Sequence, residues 1–263
     1  MRNLRAVYII WYRDILRFWH DRMRMMGAII MPLLFLFIFG SGLSSSMTFG
    51  DDIPIDYINF MFPGVISMSV LTSALMGGTS LVWDKEFGFL KEVLVAPVSR
   101  ASVAIGKVLG ASTLALIPGL IIMIFAPVIG VDLPILTVLK LLPLMFLLAV
   151  SISSLGILLA TRMKSMEAFQ MIMQLLMMPM IFLSGVFFPL RNLPAWLNFI
   201  TKINPASYGV APIREVALGK EMSAPFSINL FGHTMSLWEN TAIVATFGAV
   251  MIILAMWSFN RQE

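Results

Sequence analysis

The chain has 263 residues, of which 59% are hydrophobic and only 12% are charged, whereas soluble domains are about one quarter charged. A soluble fold of this length cannot bury so much apolar surface, so the composition indicates a membrane protein with several spans. The absence of cysteine excludes a disulfide framework and a cysteine-ligated metal centre. A net charge of +4 also occurs in nucleic-acid-binding proteins, but the basic residues lie beside apolar runs. They are explained better by membrane orientation, and no nucleic-acid partner is expected.

The N-terminal segment, residues 1–25, is predicted to be an amphipathic helix lying in the lipid headgroup plane. Apolar side chains recur there at the spacing of one helical face. They are Leu4, Tyr8, Trp11, Ile15 and Phe18. The segment also carries charged side chains, among them Arg13, Asp14, Arg17 and Asp21. The helix either only anchors the chain or also offers its polar face to a partner protein.

A helix that crosses the membrane needs about 20 mostly apolar residues, and six runs are predicted to cross. They lie at residues 26–43, 60–82, 103–129, 136–160, 168–188 and 241–259. Prolines 32, 118, 143 and 179 fall inside these runs and are expected to kink the helices rather than end them. The first run, with arginines before it and GSGLSSS after it, also resembles a signal peptide, although the preceding segment is unusually long and contains two aspartates.

Lysine and arginine are distributed unevenly between the two sides of the predicted membrane. Most of the 18 basic residues fall on the side that holds both termini. The positive-inside rule therefore predicts cytoplasmic termini, in agreement with an even number of spans.

The segment between the second and third runs combines charges with large apolar side chains. It reads DKEFGFLKE and comprises Asp84, Lys85, Glu86, Phe87, Gly88, Phe89, Leu90, Lys91 and Glu92. Its apolar residues share one side of a short helix, which the following proline ends. A cytoplasmic amphipathic helix is predicted, and it either docks a soluble partner with its aromatic side chains or lies on the membrane surface.

The segment at 189–240, between the last two runs, is not very polar and contains two short apolar stretches broken by prolines. Neither stretch is long enough to cross the membrane. They are predicted to be re-entrant half-helices on the outer side whose ends are buried by protein, with helices lying flat on the surface as the alternative.

Small residues at four-residue spacing mark sites where helices pack closely. Ser69, Ser73 and Gly77 form one such ridge, Gly106 and Gly110 a second, and Gly156 with Ala160 a third. The pattern does not say whether the partner helix lies in the same chain or in a second copy.

No motif for nucleotide binding or hydrolytic chemistry occurs in the chain: G-x-x-x-x-G-K-[ST], G-x-S-x-G and H-E-x-x-H are all absent. The two histidines lie far apart in sequence, so no metal site is expected. Energy for uphill transport would have to come from a cytoplasmic partner.

A secondary carrier would usually place an ionisable residue near the middle of the membrane, and the runs contain almost none. Lys107 and Lys140 lie near the ends of runs and are expected to snorkel to the membrane surface. Gln170 and Gln174, one turn apart in the fifth run, either hydrogen-bond neighbouring helices or line a substrate path.

The stretch FGFLKEVLVAPVSR at 87–100 resembles the cytoplasmic loop after the second span of ABC type-2 export permeases. FMFPGVI at 60–66, LSGVFFPLRNLPAW at 183–196 and INPASYGVAPIRE at 203–215 occur in the same order and at matching spacing. The resemblance covers essentially the whole chain and is greatest to the branch of daunorubicin-exporter-like and nodulation-exporter-like permeases.

The resemblance implies one all-α ABC type-2 transmembrane domain over residues 1–263 with six spans. A connecting helix would occupy 1–25, spans one to five 26–188, an outer re-entrant region 189–240, and the sixth span with a cytoplasmic tail 241–263. The segment 84–98 would be the coupling helix that enters a cleft on a separate ATPase subunit.

The same resemblance implies an exporter of hydrophobic or amphipathic compounds, drug or lipid-like, in a bacterial or archaeal plasma (inner) membrane. The chain would dimerise among membrane lipids, would need no cofactor and would not be an enzyme, because a partner ATPase binds ATP and Mg²⁺. Alternatives are export of polysaccharides, glycolipids or ions within the family, a motor-free secondary carrier, or a membrane assembly factor. Pairing with a paralogous permease instead of a second copy also stays open.

Overall fold

The computed structural model describes residues 2–44, 56–89, 98–190, 193–230 and 233–260. Within these ranges the chain is mainly helical, and a short hairpin of two antiparallel strands pairs Asn229 with Thr234. The helices are α1 (Arg2–His20), α2 (Arg22–Ser44), α3 (Tyr57–Leu75), α4 (Thr79–Glu86), α5 (Arg100–Ile124), α6 (Ile135–Arg162), α7 (Met166–Phe182), α8 (Ala195–Ile203), α9 (Pro205–Leu218), α10 (Lys220–Ser223) and α11 (Leu237–Asn260). The strands are β1 (Asn229–Leu230) and β2 (His233–Thr234), and 3₁₀ turns lie at Met76–Gly78, Ala126–Ile129 and Ala224–Phe226.

Four helical segments in the described ranges are long and apolar enough to cross a membrane. They are Tyr57–Glu86, Arg100–Ile124, Ile135–Arg162 and Leu237–Asn260. A fifth is present if Asn3–His20 and Met25–Gly40, which are bent by 69°, count as one broken span, and Met166–Phe182 is apolar but shorter. The all-α membrane architecture is therefore confirmed, whereas six separate spans are not.

The four prolines inside the predicted spans do not end their helices. Pro32 lies within α2, Pro118 within α5, Pro143 within α6 and Pro179 within α7. Each removes one backbone hydrogen-bond donor from its helix, and Pro32 and Pro118 are buried whereas Pro143 and Pro179 are exposed. The prediction that these helices continue through their prolines is confirmed.

The second span is the centre of the bundle. Two thirds of its apolar window, 67%, is buried, compared with 28% for the last span. The residues from Phe60 to Ile66 are all buried, and α3 packs against α2, α5, α6 and α9. Because α3 continues through a 3₁₀ turn into α4, the segment that follows α4 is attached directly to this core.

The small residues singled out in the sequence are contact points between helices of the same chain. A methyl group added at Gly106 would lie 3.0 Å from Cβ of Ile10 in α1. One added at Gly156 in α6 would overlap the backbone carbonyl of Leu75 in α3. The pair Gly106 and Gly110 therefore lets α1 approach α5, and Gly156 lets α6 approach α3.

The helices α8 and α9, in the segment predicted to be re-entrant, differ from each other in a way that the sequence did not predict. α9 packs against α3, α6 and α11 and buries Tyr208, Val210 and Ile213. α8 leaves the large side chains of Trp196 and Phe199 exposed. The side chain of Asn204 joins them, because its Oδ1 accepts from the amide of Ala206 at 3.1 Å and caps α9.

We expect Gly156→Ala to destabilise the bundle by roughly 1–3 kcal/mol, because the new methyl overlaps backbone that cannot move aside cheaply. The free energy of unfolding in detergent micelles, followed by tryptophan fluorescence, measures this. Gly27→Ala in α2 is the matched control, since a methyl there meets no atom within 4 Å. Equal stability of the two variants would contradict the close packing of α6 on α3.

Candidate functional site

A buried lysine lies at the junction of α1, α4 and α5. The Lys107 side chain is 2% exposed. Its Nζ donates to Asp84 Oδ2 at 2.7 Å, to Asp14 Oδ1 at 3.1 Å and to Ser80 Oγ at 3.1 Å. All three ammonium hydrogens are therefore used. The prediction that Lys107 snorkels to the surface is wrong, because the glycine beside it lets α1 bring a carboxylate close enough to bind the ammonium group inside the protein.

Two arginines of α1 complete this charge cluster, which consists of Asp14, Asp84, Lys107, Arg13 and Arg17. Arg13 Nη2 donates to Asp84 Oδ2 at 2.6 Å, and Arg17 Nη1 donates to Asp84 Oδ1 at 3.2 Å. The two carboxylates are almost completely buried, whereas the arginine side chains are 31% and 44% exposed. The buried lysine and two carboxylates carry a net charge of −1, and the two partly exposed arginines bring the whole cluster to +1.

The face of α1 that packs against α5 differs from the predicted apolar stripe. Ile10, Asp14 and Phe18, spaced four residues apart, are buried. Of these only Phe18 belongs to the predicted stripe, whose Leu4 and Tyr8 are exposed. The reason is that the partner of α1 is a helix with a glycine pair and a buried lysine, so the contact face needs a carboxylate in its centre. α1 thus carries an inner face with Asp14 and a second, outward face rich in apolar side chains.

The aromatic part of the predicted docking segment lies directly beside the charge cluster. Phe87 is 74% exposed and Phe89 is 47% exposed. The guanidinium of Arg13 lies 5.3 Å from the centre of the Phe89 ring. The guanidinium of Arg17 lies 5.3 Å from the Trp83 ring, which in turn contacts Phe87 at 5.6 Å between ring centres. Each arginine therefore joins a buried carboxylate to an exposed aromatic group.

Other residues of the predicted docking segment point elsewhere. Glu86 is exposed, and Gly88 has a left-handed backbone conformation with φ 77° and open space around it. Asp84 faces the interior, so it is a member of the charge cluster and does not lie on the outer surface of the segment. Leu90, Lys91 and Glu92 lie outside the described residues.

Lys85 caps the C-terminal end of α6. Its Nζ donates to the backbone carbonyl of Ala160 at 3.1 Å, to that of Met163 at 3.5 Å and also to that of Thr161. Carbonyls at the end of a helix have no partners within the helix and attract cations. Lys85, which the sequence placed on the docking surface, therefore binds the docking segment to α6.

Four of the sequence-predicted site residues meet at one cavity of about 380 Å³. Asp14, Arg17 and Asp21 of the N-terminal region line it together with Gln170 of α7. Gln174, one turn further along α7, is exposed but does not line the cavity. The structure thus brings the connecting-helix residues and one of the two glutamines together.

Sequence reasoning missed three contributors to this site: Lys107, Ser80 and Trp83. A signal for the first was present, since Lys107 is an isolated charge within an otherwise apolar run. An isolated charge in such a position is usually paired. Ser80 lies one helical turn before Asp84 and shares its inner face, whereas Trp83 lies one turn before Phe87 and contacts that ring.

A second buried cation lies in α9. Arg214 of α9 is 3% exposed, and its Nη2 donates to the carbonyl of Gly185 at 2.6 Å. Its guanidinium lies 4.2 Å from the centre of the Phe60 ring. Within the described ranges, no carboxylate lies at ion-pair distance from it. Arg214 therefore fastens α9 to the turn after α7 and to the start of α3.

We expect Lys107→Met to lower the free energy of unfolding by about 3–5 kcal/mol, because it leaves buried carboxylates without their main partner. Unfolding in detergent micelles measures this, and Lys164→Met, at an exposed lysine, is the control. Asp14→Asn combined with Lys107→Met should recover part of the loss, since it removes the carboxylate that depends most on the lysine. Wild-type stability of Lys107→Met would refute the cluster.

Comparison with known proteins identifies the family to which the chain belongs. Residues 5–218 match the family model described as ABC-2 type transporter. The chain is 29% identical over 235 residues to the putative transport permease ycf38 of Cyanophora paradoxa, covering 88% of this chain and 80% of the relative. It is 27% identical over 268 residues to the inner membrane transport permease YadH of Escherichia coli (strain K12), covering 98% and 95%. It is 27% identical over 199 residues to nodulation protein J of Rhizobium meliloti (strain 1021), covering 75% of each.

These matches confirm the resemblance found from the sequence motifs. Members of the family are membrane-embedded permease subunits rather than ATPases, and they work in general with an ABC ATPase subunit. The chain belongs to the ABC-2 type transporter family, and it is an integral membrane protein of that family.

Proposed function

We propose that the chain is the membrane-spanning subunit of an ATP-driven exporter that acts as a homodimer with separate ATPase subunits. It moves a hydrophobic or amphipathic substrate, drug or lipid-like, out across the membrane. The observation that carries the proposal is the charge cluster, because it fastens three helices together immediately behind the exposed rings of Phe87 and Phe89.

The exposed rings are the proposed docking point for the ATPase. Phe87 is 74% exposed, so its burial by a partner would lower the free energy of the complex. Aromatic side chains often dominate the binding energy of protein interfaces. The half-exposed arginines beside the rings surround this apolar centre with positive charge. A partner cleft that accepts it would be apolar in the middle and acidic at the edge.

The charge cluster couples the docking segment to the helices of the bundle, so that the segment can act as a lever. Asp84 binds α4 to α1 and α5 through salt bridges, and Lys85 binds the same turn to the end of α6. Movement of the docked rings would therefore displace three neighbouring helices together rather than bend one loop. ATP and Mg²⁺ act on this lever from the partner subunit, since the chain has no P-loop of its own.

The exposed face of α7 is the proposed contact with the second copy. Met171 and Leu175 are 72% and 73% exposed and lie beside Gln170 and Gln174. A face that mixes amide and thioether groups suits a water-accessible path between two copies better than contact with lipid tails alone. The two glutamines are then the polar residues of the proposed substrate path.

Both termini are proposed to lie in the cytoplasm of a bacterial or archaeal cell, with the protein in the plasma (inner) membrane. The basic residues around α1 and after α4 support this orientation through the positive-inside rule. The outward apolar face of α1, with Tyr8 and Trp19 exposed, suits a position in the headgroup plane. α8 and α9 are then the outer re-entrant helices.

Export of polysaccharides, glycolipids or ions is the alternative within the family. ATP hydrolysis by the reconstituted pair, measured with a panel of drugs, lipids and glycans, distinguishes these classes, because the transported class should raise the rate. A motor-free secondary carrier or assembly factor is a weaker alternative, since members of this family work with an ATPase.

We expect Phe87→Asp combined with Phe89→Asp to reduce the amount of ATPase that co-purifies with the permease by about tenfold or more, because the charges replace the apolar centre of the contact. Adding Leu90→Asp should complete the loss. Phe199→Asp, at a ring that is 65% exposed on α8, is the matched control and should keep the complex. Full complex and ATP-driven transport by the double variant would refute the docking proposal.

The purified permease without its partner should hydrolyse no ATP, because its sequence contains no P-loop motif to bind the phosphates. Phosphate release at saturating Mg²⁺ and ATP measures this. Turnover that follows the permease through every purification step and disappears on its removal would contradict the proposal.

A further inference from the structure

A second cavity, with no residue of the charge cluster in its lining, lies between α8 and the β1–β2 hairpin. Its volume is about 290 Å³, and its wall consists of one face of α8, Leu190 and the residues from Ser227 to Asn229. We infer that this cavity is a binding site for a phosphate group, held by the ammonium of Lys202 and the side-chain amides of Asn198 and Asn229. None of the residues proposed to bind the ATPase takes part, so the site can be tested on the permease alone.

The lining residues of α8 share one face of the helix. Asn198, Thr201 and Lys202 are three and four residues apart, which is the spacing of neighbours on a helix surface. Thr201 is buried, and Lys202 is half-buried. This polar face of α8 is therefore directed at the cavity and not at open solvent.

The three nitrogen-bearing side chains of the wall have unused hydrogens. Within the described ranges, no ion pair or side-chain hydrogen bond involves Lys202, Asn198 or Asn229. An ammonium group has three hydrogens to donate, and each amide has two. The other polar groups of this turn are occupied, since Thr201 donates to the carbonyl of Asn198 at 2.8 Å and the Lys202 carbonyl accepts from Tyr208 at 2.7 Å. The free hydrogens are therefore available to a ligand with several oxygen acceptors.

The positive charge of Lys202 is not neutralised by the wall of the cavity. None of the described residues that line it is acidic. The carboxylate of Glu239, which follows the hairpin, binds elsewhere: it accepts from the Ser236 amide at 2.7 Å and lies 3.2 Å from His233 Nε2. Hydrogen bonds to a charged partner are roughly twice as strong as neutral ones, so an anion gains more from this ammonium than a neutral sugar does.

The number of donor side chains favours phosphate over carboxylate. A carboxylate has two oxygens, whereas a phosphate group presents at least three strong acceptor oxygens. One phosphate can therefore accept from Lys202, Asn198 and Asn229 at the same time. The volume of about 290 Å³ is close to the lower limit for small-molecule sites, which suits a phosphate with a small substituent.

The opposite face of α8 indicates the source of the phosphate. Trp196, Phe199 and Ile203 are exposed on that face and suit contact with lipid chains. They lie across the helix from Asn198 and Lys202, and a helix with its side chains is about 10 Å thick. A phospholipid on the apolar face would have to reach around the helix to place its phosphate in the cavity. A water-borne phosphate is therefore favoured over a lipid headgroup.

The test follows the reaction of Lys202 with a water-soluble acetylating reagent. The permease is kept in maltoside micelles, inorganic phosphate is added at constant ionic strength against chloride, and mass spectrometry measures acetylation of each lysine. We expect phosphate to slow acetylation of Lys202 saturably, because a bound anion keeps the amine protonated. Lys220, which is exposed and does not line the cavity, is the matched control and should keep its rate. Phosphatidylglycerol added to the micelles without phosphate should not protect Lys202.

Substitutions of the two amides assign the protection to this cavity. Asn198→Leu and Asn229→Leu each remove a donor group and should raise the phosphate concentration for half protection about tenfold, as for loss of one hydrogen bond to a charged group. Asn198→Asp keeps the size of the side chain but adds a carboxylate to the wall, so it should abolish protection by repelling phosphate. Thr234→Val, on the other strand of the hairpin and outside the lining, is the control and should change nothing.

Three results would overturn the phosphate site. These are equal protection of Lys202 by chloride or glucose, equal slowing of Lys220, and unchanged protection in both leucine variants. Protection by phosphatidylglycerol but not by inorganic phosphate would overturn the water-borne source and assign the phosphate to a lipid headgroup. Because binding of the ATPase is measured separately, failure of this site leaves the proposed transport function standing.

Discussion

The bundle depends on a lysine held between two carboxylates from different helices. Taking Lys107, Asp14 and Asp84 out of water costs several kcal/mol per ion, and their mutual attraction repays this only with good geometry. That geometry is present: the ammonium group meets three acceptors at 2.7–3.1 Å. Apolar residues of similar volume could stabilise the same junction as well. The ions instead fix the relative position of α1, α4 and α5. A purely apolar contact, which is not directional, would allow these helices to shift along one another.

Several parts of the fold and the site are predictable from the sequence because they depend on local physics. Apolar length predicts the second, third, fourth and sixth spans, and four-residue spacing finds Gly106 and Gly156. The rest depends on which helices meet. Lys107 looks like a snorkelling residue until α1 supplies a carboxylate, and the face of α1 is fixed by its partner rather than by its own periodicity. Likewise α8 and α9 both come from short apolar stretches, but α9 packs against the bundle while α8 leaves Trp196 and Phe199 exposed.

The two buried cations of the described chain have different surroundings and so different roles. Lys107 is neutralised by carboxylates on two other helices, which makes it a joint between elements. Arg214 instead contacts a carbonyl and aromatic rings, and it holds α9 in the bundle without a counterion among the described residues. The two buried polar contacts therefore lie at opposite ends of the central span, one beside the exposed rings of Phe87 and Phe89 and the other where α9 meets the start of α3.

The cap that Lys85 places on α6 extends further than its own contacts. Thr161, whose carbonyl it binds, shares a hydroxyl hydrogen bond of 2.6 Å with Ser258, and Arg100 donates to the carbonyl of Asn260 at 3.0 Å. The end of α11 is thus joined both to the turn before the docking rings and to the helix after them. A fluorophore near the exposed Asn260 would therefore report movement of these helices from a position outside the proposed docking surface.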